Sequence, residues 1–479
     1  MQQKQQDYNT QSVYRVYYTH FYPFKSITRA LTCGLQADTT ASPQYRDLRF
    51  ECVNWNDPNT HWSKKHFDRR NTNLLRAHIM SDLPQSIHIG QFMPLLQLDM
   101  KQCSVPPTGS NDQTRSRVPQ KNKCAFYGPS TTGTNSPEYV SPLHETRGSG
   151  YAHFVTPLKE LVFDIDVPGF HRFCPCVDDM GDNIRTTLCP TCGLHIEGAC
   201  VIMQFILTEQ LGYELRHLMC VFSGGKGIHC FVNAPRAMSL NETQRLFIYD
   251  AIQLSGSGNN AGTGNGKNES GDRPLFAWIR IMATHDLSHR LKRLFRDNVL
   301  VARNLLMDRN SRFSAWALNK LQRYYPAVYR QVAPVWEAQR QRADCSSLDM
   351  WDTLRAFEVY RDRSEAGDWD FKGAVKPSLF LIYRLYYPMV DKAPLRMSHA
   401  IKLPFSIHGK TGALALPMDA SFLSAPDWTR QICHVNALYE AHTRGRPVPE
   451  SFKRGIELFN DWIDQYDVTG VTNKTNEST

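Results

Sequence analysis

The 479-residue sequence contains no apolar run of the roughly 18 residues that a helix needs to cross a bilayer. Its first residues, MQQKQQDYNT, have neither the apolar segment of a secretory signal nor the Arg- and Ser-rich composition of an organellar one. We therefore expect no membrane partner, and a nuclear protein if the organism is eukaryotic or otherwise a cytoplasmic one. The thirteen cysteines should then be free thiols or metal ligands rather than disulfides.

The sequence also lacks a strong excess of either charge, since 55 basic and 46 acidic residues leave a formal net charge of +9. That surplus permits an anionic partner without requiring one. Three stretches have few aliphatic residues, and we interpret them as two mobile insertions, 104–150 and 255–272, and a disordered tail, 471–479. No internal repeat is visible.

Between these stretches, strand and helix signals alternate along the chain. Strand patterns occur at 159–167 and 217–234 and again at 402–417, where Gly409 to Gly412 suit a hairpin turn. Helical patterns cover 200–212, 243–254 and most of 291–357. The pattern predicts an α/β fold of the mixed α+β kind, with mixed sheets and an inserted helical subdomain.

The segment ELVFDIDV places two carboxylates two residues apart on a strand. Alternation puts Asp164 and Asp166 on one face while Phe163 and Ile165 face the core. Two carboxylates on one face can share a pair of divalent ions, which clamp the oxygens of a phosphoryl transfer. The alternative is an edge strand whose carboxylates are simply solvated. As a third carboxylate, Asp391 in YYPMVDKAP is one of many candidates.

A glycine-rich turn, FSGGKGIH, lies between two apolar strands. Its glycines let backbone N–H groups approach an anion, and Ser223, Lys226 and His229 add a hydroxyl, a cation and an imidazole. The alternative is a plain hairpin with Lys226 in water. A similar set recurs at Lys402, Ser406 and His408, which strand alternation would place on one face, followed by Lys410.

Two cysteine pairs follow the Asp-x-Asp strand at once. Cys174-Pro-Cys176 and Cys189-Pro-Thr-Cys192 have the spacing of a tetrahedral zinc site with four thiolate ligands. His171 or His195 could replace one thiolate, and four free thiols are the alternative. Because protein ligands fill all four positions, this Zn²⁺ would be structural.

These constellations, in this order, resemble the small catalytic subunit of archaeal and eukaryotic DNA primases. The matching elements are ELVFDID, CPC with CPTC, SGGKGIH, YYPMVD and LPFSIHGKTG, with YYTHFYPF and YRDLRF near the start. The resemblance implies synthesis of RNA primers on a single-stranded DNA template from ribonucleoside triphosphates. It also implies partnership with a primase large subunit and, in eukaryotes, with a replicative DNA polymerase complex.

The resemblance implies a role for each matching position. Asp164, Asp166 and Asp391 would hold two Mg²⁺ or Mn²⁺ ions. The incoming nucleotide would be held by Ser223, Lys226, His229, Lys402 and His408, with Arg46 and Asp47 near the active site. The cysteines Cys174, Cys176, Cys189 and Cys192 would hold zinc in a side knuckle.

The chain divides accordingly into parts of a primase-type core and its additions. The predicted divisions are the N-terminal part of the catalytic core at 1–240 with a zinc knuckle at 171–195, a mostly helical subdomain at 241–375, a return to the core at 376–420 and a C-terminal helical segment at 421–470.

Two positions depart from the family pattern, which commonly has cations where this chain has Gly225 and Met389. Lys392 or Lys410 could compensate, and we expect an arginine at 225 to tighten nucleotide binding. Two other functions remain open at this point. One is a primase–polymerase that prefers deoxynucleotides, and the other is a non-catalytic zinc-knuckle protein that binds nucleic acid.

Overall fold

The structure is a computed structural model, and the part of the chain that it describes covers residues 10–32, 45–53, 60–68, 72–93, 158–166, 190–252, 273–308, 312–364, 375–419 and 428–469. The two predicted insertions, the predicted tail and the first three predicted zinc ligands lie outside these ranges. No helix in these ranges is long and apolar enough to span a membrane.

The strands form two sheets. In chain order they are β1 Tyr45–Val53, β2 Thr60–Asp68, β3 Ser86–Met93, β4 Leu161–Asp166, β5 Leu218–Phe222, β6 Ile228–Val232, β7 Met389–Asp391, β8 Ile401–Lys402 and β9 Pro417–Met418. One sheet has the order β2-β1-β3-β8 and the other has the order β7-β4-β6-β5-β9.

Helices occupy most of the remaining described residues. In chain order they are α1 Thr10–Val16, α2 Phe24–Thr32, α3 Thr72–Asp82, α4 Pro190–Phe205, α5 Pro235–Met238, α6 Glu242–Ile252, α7 Arg273–Met282, α8 Asp286–Leu294, α9 Phe313–Tyr324, α10 Pro326–Arg340, α11 Ser347–Ser364, α12 Pro377–Tyr386, α13 Val435–Arg444 and α14 Glu450–Thr469. The combination confirms the predicted α/β mixture.

The sheets are antiparallel rather than mixed, which corrects one detail of the prediction. Every pairing among the described strands is antiparallel. Strands β5 and β6 are joined by a five-residue turn, and β7 returns beside β4 from more than 200 residues further along the chain. Neither connection is the helical crossover that joins neighbouring parallel strands.

The five-stranded sheet separates two apolar cores. On one face, Phe163 and Ile228 pack with the helices of 190–386, among them Trp336 and Phe380. On the other face, Val162 packs with the four-stranded sheet and with the N- and C-terminal helices. Strand β4 is therefore central, as its apolar run predicts, and its two faces belong to different cores.

Helical periodicity correctly predicts the helices between 241 and 375, whose described part contains α6 to α11. Their apolar faces do not form a separate core, because Leu321, Trp336 and Leu354 belong to the same cluster as Phe163 of β4. These helices therefore support the sheet from behind, on the face opposite the predicted site.

Helix α4 begins ten residues earlier than the sequence pattern indicates. It starts at Pro190, inside the CPTC segment that we assigned to a zinc-knuckle turn. Proline is suited to the first turn of a helix because its missing N–H has no partner there. Ile196, Ala199 and Met203 then recur on one face and pack into the core.

The segment 402–417 departs further from the prediction of two regular strands. Strand pairing here is limited to Ile401–Lys402, Pro417–Met418 and two isolated bridges, Ile407 with Leu414 and Ala413 with His434. Phe405 has a left-handed backbone with φ of 66°, which breaks the alternation of side chains. As a result Ser406 is buried, and its hydroxyl donates to the carbonyl of Ile87 at 2.9 Å.

Candidate functional site

Three polar residues form a row across the centre of the five-stranded sheet. Asp164 of β4 lies directly opposite Asp391 of β7 on one side and opposite His229 of β6 on the other. The three share the face of Val162 and Phe231, which pack into the core between the two sheets. The row therefore lies at the edge of that core, where side chains on this face of the sheet become accessible to solvent.

Two carboxylates facing each other across a strand pair repel, since their Cβ atoms are about 4.5–5.5 Å apart. Both Asp164 and Asp391 are partly exposed, and Asp391 Oδ1 accepts a hydrogen bond from the N–H of Ala393 at 3.1 Å. Carboxylate oxygens are the donors that Mg²⁺ and Mn²⁺ prefer. A divalent cation would remove the repulsion, so the pair fits the predicted metal ligands.

Asp166 follows two residues later on β4, with its backbone paired to Met389. Its side chain lies outside the described part of the structure. Among the side chains that are described, no group of three histidine, cysteine or acidic residues is arranged to hold a metal ion. The geometry thus brings two members of the predicted triad together and places the backbone of the third.

An open cleft of about 440 Å³ adjoins this row. Both sheets and the turns between their strands contribute to its walls. It is lined by His88, Asp164, Ser223, Gly225, Lys226, His229, His399, Ala400, Ile401, Lys402, His408 and Lys410. The predicted nucleotide-binding residues Ser223, Lys226, His229, Lys402 and His408 all lie here.

The turn between β5 and β6 is organised by the Ser223 hydroxyl. That oxygen accepts hydrogen bonds from the N–H groups of Gly225 and Gly227, both at 3.3 Å. The hydroxyl proton remains available to donate to a ligand. Gly224 has φ of 81° and lies against Ala413 and His408, so a Cβ there would be both strained and crowded.

Gly225 leaves room for the imidazole of His408. A Cβ at this position would lie 2.9 Å from His408 Nε2, closer than real Cβ contacts allow. The expectation that an arginine here tightens nucleotide binding stays a prediction, and such a side chain would also require His408 to shift.

Thr411 fixes the orientation and tautomer of His408. Its hydroxyl donates to the carbonyl of Gly224 at 2.7 Å, so it can only accept from His408 Nδ1, 3.2 Å away. His408 Nδ1 must therefore carry a proton. Its Nε2 atom is left as the ring nitrogen that can meet a ligand in the cleft.

Burial and neighbouring cations keep the imidazoles of the cleft neutral. Burial first and then the charge of Lys402 lower the pKa of His229 to about 3 and that of His408 to about 4. His88 has its pKa lowered to about 3 by burial and then by Lys402. The imidazoles therefore carry no charge near neutral pH, and the positive charge of the cleft comes from its lysines.

Lys402 adds a second cation to the glycine-rich turn, beside Lys226 within it. Its ammonium donates to the carbonyl of Ser223 at 3.1 Å, and burial lowers its pKa to about 8. Lys226 and Lys410 also line the cleft, so Lys410 is placed to compensate for the missing cations. Lys392 is not placed to compensate, because it does not line the cleft. Its ammonium lies 5.6 Å from the ring centre of Tyr249.

Arg46 and Asp47 do not line the cleft. Arg46 is buried and donates to the carboxylate of Glu160, just before β4, which links the two sheets. Asp47 is buried on the opposite face of β1, 3.5 Å from Lys64 Nζ and 3.7 Å from Arg49 Nη2. Their predicted contact with nucleotide stays a prediction, and in the structure Arg46 pairs with Glu160 while Asp47 lies near Lys64 and Arg49.

Sequence reasoning missed three residues of the cleft and its support, His88, His399 and Thr411. The signal for His88 is present in SIHIG, where Ile87 and Ile89 point into the core and alternation sends His88 to the other face. His399 and Thr411 lie outside regular strands, and no periodic pattern marks them.

The zinc prediction falls almost entirely outside the described residues. Cys174, Cys176 and Cys189 are not described, and of Cys192 only the backbone is, in the first turn of α4. The proposed knuckle would thus end on a helix that packs behind the five-stranded sheet.

Comparison with known proteins identifies the family of this chain. The sequence model of the family described as DNA primase small subunit matches residues 163–420, which is more than half of the chain. The chain belongs to the DNA primase small subunit family. The match includes most of β4, all of β5 to β9, and every residue of the row and cleft except His88.

Individual relatives in the family are distant from this chain. The DNA primase small subunit of Drosophila melanogaster is 24% identical over 332 residues, covering 64% of this chain and 70% of the fly protein. That of Saccharomyces cerevisiae is 26% identical over 270 residues, covering 55% and 59%. The archaeal small subunit PriS of Methanococcoides burtonii is 30% identical over 97 residues, covering 20% and 22%. The match thus spans less than two thirds of the yeast relative.

Proposed function

We propose that this chain is the catalytic subunit of a DNA primase and makes short RNA primers on single-stranded DNA from ribonucleoside triphosphates. The observation that supports this most is the placement of Asp391 opposite Asp164, beside a cleft with three lysines. A carboxylate pair next to a cationic cleft suits a nucleotidyl transfer, in which phosphate charge develops close to the reacting oxygens.

Each group of the cleft has a distinct task in this reaction. Asp164, Asp166 and Asp391 would hold two Mg²⁺ or Mn²⁺ ions. Bound there, such ions would activate the attacking 3′-hydroxyl and neutralise the pyrophosphate. Lys226, Lys402 and Lys410 would hold the triphosphate.

The Ser223 hydroxyl and His408 Nε2 would orient the phosphates by hydrogen bonds. An approaching phosphate favours the charged imidazole, so it would raise the pKa of His408 and bring a proton to Nε2. His229 Nε2 lies 3.6 Å from Asp164 Oδ1, where it would orient that carboxylate. The chain's own contribution is thus positioning and charge neutralisation.

The first experiment separates catalysis from binding. Asp164→Asn should lower templated primer synthesis with Mg²⁺ by at least about tenfold, because the site loses a negative ligand without losing volume. Asp352→Asn, an exposed carboxylate on α11, is the matched control and should retain full activity. If Asp164→Asn keeps wild-type activity, Asp164 is not a ligand of the catalytic metal, and a wild type that makes no primer would instead indicate a non-catalytic nucleic-acid-binding protein.

The same assay decides the nucleotide preference. Parallel reactions with ribonucleotides and deoxynucleotides should show faster incorporation of ribonucleotides. A preference for deoxynucleotides would identify a primase–polymerase that acts in repair or bypass of damage.

We also propose a structural Zn²⁺ held by Cys174, Cys176, Cys189 and Cys192. The paired spacing predicts about one zinc per chain, lost in Cys189→Ser together with part of the protein's stability. Elemental analysis of the purified protein checks this, and protein that contains no zinc would contradict it. Cys345→Ser, remote in sequence from the pairs, should leave the zinc content unchanged.

The relatives carry the name small subunit, which supports a partnership with a primase large subunit. If the organism is eukaryotic, a replicative DNA polymerase complex in the nucleus is the corresponding assembly. Copurification of a co-expressed large subunit with this chain would test the first of these.

A further inference from the structure

The outer face of the four-stranded sheet carries an exposed tryptophan close to the cleft. Trp62 on β2 is 56% exposed. Its ring meets the ring of His88 edge-on, with centroids 4.9 Å apart and an interplanar angle of 81°. Because His88 lines the cleft and Trp62 contacts His88, Trp62 lies next to the edge of the cleft.

Three cations and the neutral His88 form a continuous row across the same sheet. Lys64 of β2 lies directly opposite Arg49 of β1, and Arg49 lies opposite His88 of β3. His88 in turn lies opposite Lys402 of β8, which lines the cleft. Three strand spacings make this row roughly 14 Å long, which exceeds the triphosphate of one nucleotide.

The charges of Lys64 and Arg49 are exposed at the protein surface. The side chains of Lys64 and Arg49 are 50% and 41% exposed, whereas Asp47, which lies near both, is buried. Arg49 also donates to the carbonyl of Ser398 at 3.0 Å, which fixes its position beside the cleft. A second carboxylate on this face, Glu51 of β1, is partly buried and lies directly opposite Trp62. A ligand on this face would therefore meet two exposed cations beside two less exposed carboxylates.

Like charges directly opposite each other in a sheet cost stability, and Asp47 offsets only one of the two. An exposed aromatic ring beside spaced cations is the combination that binds single-stranded nucleic acid, in which bases stack and phosphates meet the cations. We propose that Trp62, Arg49 and Lys64 form a track for a single-stranded polynucleotide that leads to the cleft. This inference rests on the proposed function, and its three residues lie outside the family match at 163–420.

The test measures binding without chemistry. Fluorescence anisotropy with labelled oligodeoxythymidylate and oligouridylate is recorded without nucleotide or divalent cation. Trp62→Ala should weaken binding about tenfold, and Trp62→Phe should keep most of the affinity because a ring remains. The matched control is Phe247→Ala on α6, a 74% exposed aromatic residue on another element, which should bind like wild type.

The cations give a second, independent readout. Lys64→Gln should reduce the slope of log affinity against log salt by about one, because one phosphate contact is lost. Tighter binding of the DNA probe would assign the track to the template, and tighter binding of the RNA probe to the growing product.

The proposal is overturned if Trp62→Ala binds both probes within twofold of wild type, or if Phe247→Ala weakens binding equally. Neither result depends on catalysis. Asp164→Asn should bind the oligonucleotides normally while it makes no primer, so failure of the track and failure of the proposed enzyme activity are told apart.

Discussion

At Gly225 the absence of a side chain has a structural cause. The ring of His408 occupies the space that a Cβ would need, and Thr411 holds that ring by its Nδ1 atom. Position 225 therefore carries no cation, and the imidazole of His408 is held in place beside it. Nucleotide contact here should depend on the shape of the turn as well as on its charge.

Gly225→Ala should consequently raise the KM for nucleotide about ten- to a hundredfold, because His408 would lose its position and one hydrogen bond to a charged group. Steady-state kinetics with varied ribonucleotide concentration measures this. The control is Gly455→Ala on α14, where the nearest atom to an added Cβ is 3.5 Å away. An unchanged KM in Gly225→Ala would show that His408 does not contact the nucleotide.

At the scale of elements, Lys159 joins the start of β4 to the turn that follows Asp391. Its ammonium nitrogen is buried and donates to the carbonyls of Pro394 at 2.9 Å and Arg396 at 2.6 Å. A neutral amine has two N–H bonds, which match these two acceptors. Burial is the main cause that lowers the pKa of Lys159 to about 7.

The pH dependence of stability should reveal this lysine. In the unfolded chain its pKa returns to about 10.4, so between pH 7 and pH 10 the unfolded state binds more protons than the folded one. The contribution of Lys159 to the free energy of unfolding should therefore rise with pH in this window. Below pH 7 both states are protonated, and the contribution stops changing.

Urea unfolding of wild type and Lys159→Met at pH 7, 8 and 9 measures this. As pH rises, the free energy of unfolding of the wild type should increase relative to that of Lys159→Met. Lys453→Met, which alters an exposed lysine on α14, should show a difference from wild type that is independent of pH. If the difference in free energy of unfolding between wild type and Lys159→Met does not change with pH either, the buried amine keeps its proton.

Local patterns in the sequence predict the elements that carry the site but not every contact between them. The alternation in ELVFDID and the turn in SGGKGIH depend on neighbouring residues, and both predictions agree with β4 and the β5–β6 hairpin. The burial of Ser406 follows from the left-handed backbone of Phe405, which periodicity does not reveal. Arg46 pairs with Glu160, 114 residues away, so only the folded chain defines its surroundings.

At the scale of the whole molecule, the cleft lies between two sheets that share one core. His88 and Lys402 come from the four-stranded sheet, whereas Asp164 and His229 come from the five-stranded one. Beneath them, Phe50 and Val162 belong to the same apolar cluster. A ligand that touches both walls therefore binds only when the sheets are correctly packed together.

Nucleotide should accordingly stabilise the entire fold. A ligand that binds only the folded state at a hundred times its Kd adds about 2.7 kcal/mol to the free energy of unfolding. We expect the Tm to rise with the logarithm of ribonucleoside triphosphate concentration in the presence of Mg²⁺, as measured by differential scanning calorimetry. Lys402→Met should lose most of this rise because it removes the cation beside the glycine-rich turn, whereas Lys453→Met should retain it. A Tm that does not respond to nucleotide in the wild type would mean that the triphosphate binds elsewhere than between the two sheets.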